Sequence, residues 1–417
     1  MGKKLVVKLI SSLRAFVQSE EFKNLARGAD TDFTRDRKFK LTDYIYMIIN
    51  RPSTSLTGMI RKYTDEMKNV PVCSKQAFSK GRKKIRPESI LKLVTRTAEN
   101  IQRNAGSFKS WKGMRVYAVD GSRINLPDSA ESRKFFGFQK GSGEQVQGLF
   151  SGLYDVLNGF FIDAELAPCA SNERKLALKH IANYRANYPD LLPKSVITFD
   201  RGYPSGKLIE DFEQEGSRHL FYVMRCCSEF TRNMQLTGDD CILTYQFVKV
   251  SHPVKLRVVR FKLDDGSTEI LVTNMLDPHF TIIDFRELYH LRWEIETVYN
   301  FLKNRIELEN YSGKLIRGIL QDTYGAIVLV NIFSAFHFDL RHDHPLPKNK
   351  IPNRAETLRL IKARLFRFFR QHSTPVALCS AILLEAAKYY VYVIPDRSFP
   401  RIVRHKSARF SMNNRGI

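Results

Sequence analysis

The order of apolar runs between residues 111 and 225 constrains this chain more than any other feature. The stretch RVYAVDGS (115–122) alternates, is β-branched, and stops at the turn signal Asp120-Gly121. Two apolar runs, 149–156 and 160–166, are joined near Asn158-Gly159, a strong hairpin signal. Ser171 or Asn172 can cap a helix reaching about Asn187. SVITF (195–199) is a short continuous apolar strand that ends in Asp200-Arg201-Gly202. Residues 204–216 predict a helix and 219–225 a strand. The sum is strand, strand, strand, helix, strand, helix, strand. That order suits an α/β core, a mixed sheet flanked by helices.

It is also the element order of an RNase H-like fold. The alternation then breaks. Three β-like runs follow in succession at 243–250, 254–263 and 268–273, with Asp264-Asp265-Gly266-Ser267 as a turn, so 228–276 reads as a strand-rich insertion. One long helical pattern starts near Thr281 and runs past Lys303, and the chain stays helical to about Val393. The expected division is a helical N-terminal DNA-binding region at 1–105 and a first part of the catalytic core at 106–227. After the insertion come the rest of the core with C-terminal helices at 277–393, and a basic mobile tail at 394–417.

Charge narrows the partner. Lys+Arg 67 against Asp+Glu 43 gives +24 over 417 residues, which favours an anionic partner, with DNA or RNA first. The chain is 43% hydrophobic and can bury a sizeable core. No apolar run reaches the ~20 residues of a membrane span. The longest, 324–338, is interrupted by Asn331, Ser334 and His337 and reads as a buried helix. The first 16 residues resemble an amphipathic helix more than a signal peptide. None of the six cysteines forms a C-x-x-C pair, and a reducing cytoplasm is expected. The cations concentrate at 61–86, where nine Lys/Arg face Asp65 and Glu66. Ser74 caps a short element carrying Lys75, Lys80, Arg82, Lys83 and Lys84. It is either a solvated basic helix or one resting on a phosphate backbone, as in a helix-turn-helix unit.

Chemistry enters through three acids. On the long helix, Tyr289, Arg292, Glu296 and Lys303 lie three, four and seven apart and share a stripe, whereas Glu287 and Glu294 point elsewhere. Taken alone this is an ion-paired helix border. Asp120 and Asp200, however, each end a predicted strand, and sites in open sheets cluster outside strand ends. If these strands are neighbours and the helix packs beside them, the three acids converge. Three ionised carboxylates need compensating cations. A pair of Mg²⁺ ions roughly 3.5–4 Å apart would supply them and would activate a water or a 3′-hydroxyl against a phosphodiester.

The three regions resemble the signature regions of DDE transposases of the IS4 family. They are Asp120-Gly121-Ser122, Asp200-Arg201-Gly202-Tyr203, and Y-x2-R-x3-E-x6-K at Tyr289, Arg292, Glu296 and Lys303. The last matches at every defined position, and the likeness covers about 110–310. It implies that Asp120, Asp200 and Glu296 hold two Mg²⁺, with Mn²⁺ as a substitute. It implies that Tyr289, Arg292 and Lys303 contact phosphates near the transposon end, with Arg201 helping to orient DNA. It further implies binding of double-stranded DNA at terminal inverted repeats, a homodimer in the DNA complex, and neither membrane nor small-molecule substrate. Some relatives stack a flipped base on a tryptophan of the insertion. Here the tryptophans are Trp111 and Trp293, outside 228–276, and Tyr245, Phe247 or Phe261 are substitutes or ordinary packing. The hairpin route and other routes of cleavage both stay open. His342-Asp343-His344 reads as a surface loop, Lys140–Gly148 as a mobile loop without Walker spacing, and Cys226-Cys227 as strand-end packing. Two rival readings share these features: an idle DNA-binding descendant, and a two-metal nuclease.

Overall fold

The computed structural model describes residues 4–35, 37–50, 55–67, 70–105, 108–138, 144–213, 220–369 and 375–393. The tail expected at 394–417 lies outside the described residues, as do residues 140–143 of the 140–148 loop. The chain divides into two compact units that do not follow chain order. One comprises 107–123 and 149–300, the other 1–106, 124–148 and 301–417.

The first unit is built on an eight-stranded sheet. Its strands are β1 (Arg115–Asn125), β2 (Gln147–Asp155), β3 (Phe160–Pro168), β4 (Ser195–Phe199), β5 (Leu220–Cys226), β6 (Asp240–Tyr245), β7 (Val254–Lys262) and β8 (Thr268–Thr273). Their order is β3-β2-β1-β4-β5-β8-β7-β6. The first five strands have the RNase H-like order, with β1, β4 and β5 mutually parallel. The expected hairpin forms at Asn158-Gly159. Gly159 adopts φ 83°, and the Asp155 carboxylate accepts from the backbone of Leu157 and Asn158. All five residues of β4 are buried, as a continuous apolar run between helices should be.

The helix Glu173–Asn187 connects β3 to β4, with Asn172 accepting at its N-terminus from Arg174 and Lys175. A polar line fastens this helix to the sheet. Buried His180 reaches Asp163 of β3 at 2.8 Å through Nδ1 and Ser151 of β2 at 3.0 Å through Nε2. The arrangement has the members of a hydrolytic triad, but Ser151 is fully buried and meets no substrate. Its role is to satisfy polar groups inside a core.

The strands of the insertion extend this sheet, because β8 pairs antiparallel with β5 and carries β7 and β6 with it. Two expectations change here. β1 does not stop at Asp120 but runs to Asn125, and only its pairing with β4 ends there, at Val119 opposite Phe199. The long helix from Thr281 is two helices, Ile282–His290 and Trp293–Asn304. Between them Arg292, Glu294 and Ile295 donate three residues back, a 3₁₀ tightening that interrupts the 100° progression.

The second unit is mainly helical. Its centre is Ile316–Asp343, long and apolar enough to cross a bilayer, although 94% of its most apolar window is buried inside the fold. Around it pack Leu5–Val17, Leu41–Asn50 and Pro87–Asn104. Gly325 admits the helix Leu41–Asn50 closely, since a Cβ there would stand 2.7 Å from the Ile48 carbonyl. Asp339 accepts from the backbone N–H groups of Leu5 and Val6 at 3.0 and 2.8 Å, capping the first helix from across the core. His342 and Asp343 belong to the last turn of the central helix, not to a loop, and Asp343 pairs with Lys4 at 3.0 Å.

Replacing His180 by Leu leaves Asp163 and Ser151 buried with fewer partners. The expected loss is about 3–5 kcal/mol of unfolding free energy, measured by urea denaturation. A loss below about 1 kcal/mol would refute the fastening role.

Candidate active site

The parallel register of β1 and β4 decides the centre of the site. Val119 lies opposite Phe199, so Asp120 and Asp200 are the next residues along two adjacent strands. Strand spacing places their backbones about 4.8 Å apart, and equal steps from a paired position carry both side chains to the same face. The carbonyl of Asp120 is held by the Tyr299 hydroxyl at 2.6 Å. The Tyr289 hydroxyl makes a long bond of 3.5 Å to Asp200 Oδ1.

Arg292 supplies the compensating charge. It is only 2% exposed, and its Nη2 donates to Glu296 Oε1 at 3.0 Å. Nε and Nη1 are buried with no hydrogen-bond partner among the described residues. Burial pushes the Asp120 carboxyl up to about 7, opposed by Arg292 and by the Gly121 backbone, and helped by the charges of Asp200 and Glu296. Asp120 therefore feels both other acids. As the side chains stand, no group of three or more His, Cys, Asp or Glu residues among the described ones is gathered closely enough to hold a metal. Glu296 faces Arg292 instead. The donor set still fits a hard divalent cation, because it is all carboxylate oxygen and its negative charge is under-compensated at Asp120.

The other expected residues divide. Arg201 is exposed beside Asp200. Lys303 lies in the last turn of Trp293–Asn304 and belongs to the second compact unit. Lys75, Lys80, Lys83 and Lys84 are exposed on or just after the helix Lys75–Arg82, which Ser74 caps. Lys84 is paired with Asp32 at 2.5 Å. Arg82 is a correction. It is 8% exposed and bonds Asp322 at 2.8 Å, Gln321 at 2.5 Å and the Gly318 carbonyl at 2.9 Å. Its guanidinium joins two helices of the core, so it is not presented to a ligand. In the insertion, Tyr245 and Phe247 pack against each other at 4.9 Å, and Phe247 is buried.

Sequence reasoning missed three charged neighbours. The Glu173 carboxylate lies over Gly121, where a Cβ would stand 3.0 Å from it. Buried Tyr203, whose hydroxyl has no partner among the described residues, feels Asp120, Glu173 and Asp200 together. An acid in a first helical turn reads as ordinary dipole compensation, which hid Glu173. On the other side of Asp200, Glu269 of β8 pairs with Arg225 of β5 at 3.1 Å. Burial raises Glu269, against Arg225, Arg292 and Arg201. Only the β5–β8 pairing reveals those two.

The pH sign follows from Asp120. Its folded value exceeds the unfolded one, so the metal-free protein loses stability from this group as pH rises from about 4 to about 7, and the loss is complete above that. Asp120→Asn should therefore raise the unfolding free energy of metal-free protein at pH 8 by at most about 4 kcal/mol, read as a higher Tm, and leave the Tm nearly unchanged at pH 4. Equal shifts at both pH values would contradict the burial of that charge.

Residues 111–322, half of the chain, match the family model described as "Transposase DDE domain". The chain is 22% identical over 308 residues to the transposase InsG for insertion sequence element IS4 of Escherichia coli (strain K12), covering 69% of this chain and 64% of that protein. It is 22% identical over 181 residues to the putative transposase InsZ of the same strain, covering 42% and 58%. The chain thus spans less than two thirds of the length of these relatives. A cryo-EM structure of piggyBac transposase in a synaptic complex with hairpin DNA aligns over 91% of this chain and 81% of that one, with a TM-score of 0.46 and 12% identity. By the domain match and the two named relatives, this chain belongs to the DDE transposase family and is of the IS4 type.

Proposed function

We propose that the chain is a DNA transposase. It binds the terminal inverted repeats of an insertion sequence, hydrolyses the phosphodiester at each end, and joins the freed 3′-hydroxyl to target DNA. The observation that supports this most is the side-by-side emergence of Asp120 and Asp200 beside the buried, incompletely bonded guanidinium of Arg292. Acids grouped with a cation that has donors to spare suit a site for a phosphodiester and its counter-ions. DNA binding alone needs no such acids.

Asp120, Asp200 and Glu296 would hold two Mg²⁺, with Mn²⁺ as a substitute. When bound, the ions supply an activated oxygen nucleophile and charge neutralisation at the leaving oxygen. Glu296, paired with Arg292 in this structure, would have to leave that pair to serve as a ligand. Arg292, released, offers its fork to a non-bridging phosphate oxygen, and the Tyr289 hydroxyl and Lys303 ammonium add single contacts. Exposed Arg201 orients the strand. In the first step water attacks phosphorus and the bond to the 3′-oxygen breaks. In the second that 3′-hydroxyl attacks a target phosphodiester and expels another 3′-oxygen. Two ends must be handled together, so the DNA complex is a homodimer, working in the cytoplasm where the chromosome lies. The basic N-terminal region supplies end recognition.

Glu296→Gln should lower metal-dependent cleavage of an end-containing duplex by more than the ~10–100-fold that loss of an outer-sphere partner costs. Binding of the same duplex should stay within about twofold. A fully active variant would remove the catalytic assignment. Absence of any divalent-metal-dependent nicking by the unaltered protein would favour the idle DNA-binding reading, and equal activity on substrates lacking the ends would favour a nuclease. Lys303→Ala should weaken engagement near the cleavage point, and unchanged cleavage and complex formation would count against its role.

A further inference from the structure

The second compact unit contains a cavity of about 820 Å³ that the catalytic reading does not use. It is formed by residues 33–35 and 37–44, the helix Lys75–Arg82 and the end of the first helix. Its lining among the described residues includes seven lysines and arginines and no acid. Five of the cations, Arg35, Arg37, Lys38, Lys40 and Lys80, are exposed, and none of them lies within 4.0 Å of a carboxylate among the described residues. Phe33, Phe39 and Tyr44 supply an aromatic side, with Phe33 edge-on to Tyr44 at 5.8 Å.

Phe33 carries the second observation. It has φ 59°, the left-handed region that a bulky side chain rarely adopts. Such a conformation persists only where surrounding structure enforces it, and it clusters at ligand sites. Here it keeps a half-buried ring on the cavity wall. Buried Asp32 stabilises the turn, accepting from the Ala29 N–H at 3.1 Å and from Lys84 at 2.5 Å.

Exposed cations beside an aromatic face fit a polyanion that also carries flat rings. The volume falls within the ~300–1,000 Å³ that encloses a drug-sized ligand, room for on the order of two or three nucleotides but not for a duplex. We propose that this cavity binds a short unpaired stretch of DNA, its phosphates on Arg35, Arg37 and Lys38 and one base against Phe33. The choice of DNA rests on the function proposed above; the preference for an unpaired strand does not.

The test uses the full chain without metal and fluorescein-labelled (dT)12, compared with a duplex carrying the element's end, by anisotropy across a salt series. The combined change Arg35→Ala, Arg37→Ala, Lys38→Ala should flatten the slope of log K against log salt for (dT)12 by about 2. Lys194→Ala, Lys207→Ala, Lys255→Ala, which removes equal charge elsewhere, should not. Phe33→Gly relieves the backbone, so its Tm should hold or rise while (dT)12 affinity falls roughly tenfold. Phe33→Tyr should restore the affinity. Retained (dT)12 binding in the triple variant, or parallel losses on (dT)12 and duplex, would overturn the proposal and leave the transposase reading standing. Binding to neither DNA by the unaltered chain would overturn both.

Discussion

The parallel pairing of β1 with β4 is the constraint on which the candidate site depends. It sets two aspartates one strand spacing apart at the point where that pairing stops. Burial, with smaller pushes from Asp200 and Glu296, raises the Asp120 carboxyl to about 7. The arrangement is tolerable because Arg292 is buried beside them and Tyr289 and Tyr299 fix the strand ends. The site is thus electrostatically unfinished, with acids short of positive charge and a guanidinium short of acceptors. A phosphodiester with divalent cations would complete both halves at once.

The break between Ile282–His290 and Trp293–Asn304 belongs to the same design. The tightened turn lets Arg292 sink into the interior while Tyr289 before it and Glu296 after it reach different partners. The Arg292–Glu296 pair stores the glutamate against its own cation.

The basic N-terminal region is not uniform. Arg82 and Lys84 are engaged by Asp322 and Asp32 and hold the unit together. The cations left to a ligand lie largely in the 35–40 segment, which has no regular periodicity and drew no notice as a motif. A count of charges in a sequence window cannot separate a cation facing a buried acid 240 residues away from one facing solvent. That separation requires the packing of the helix Lys75–Arg82 against Ile316–Asp343.

Much of the architecture was legible because it is local. Strand alternation, the Asn158-Gly159 turn, the Ser74 and Asn172 caps and the apolar run 195–199 each follow from neighbours a few residues apart, and together they determined the mixed sheet and its element order. The spacing of Tyr289, Arg292, Glu296 and Lys303 matched the family's pattern, but the single helical stripe read from it is divided by the break after His290. What the tertiary structure decided is non-local: that β8 extends the main sheet from β5, that Glu173, Arg225 and Glu269 stand beside the aspartates, and that Arg82 is interior. Burial and pairing between distant segments set those outcomes. They depend on which surfaces meet, a property of the folded chain that no window of sequence contains.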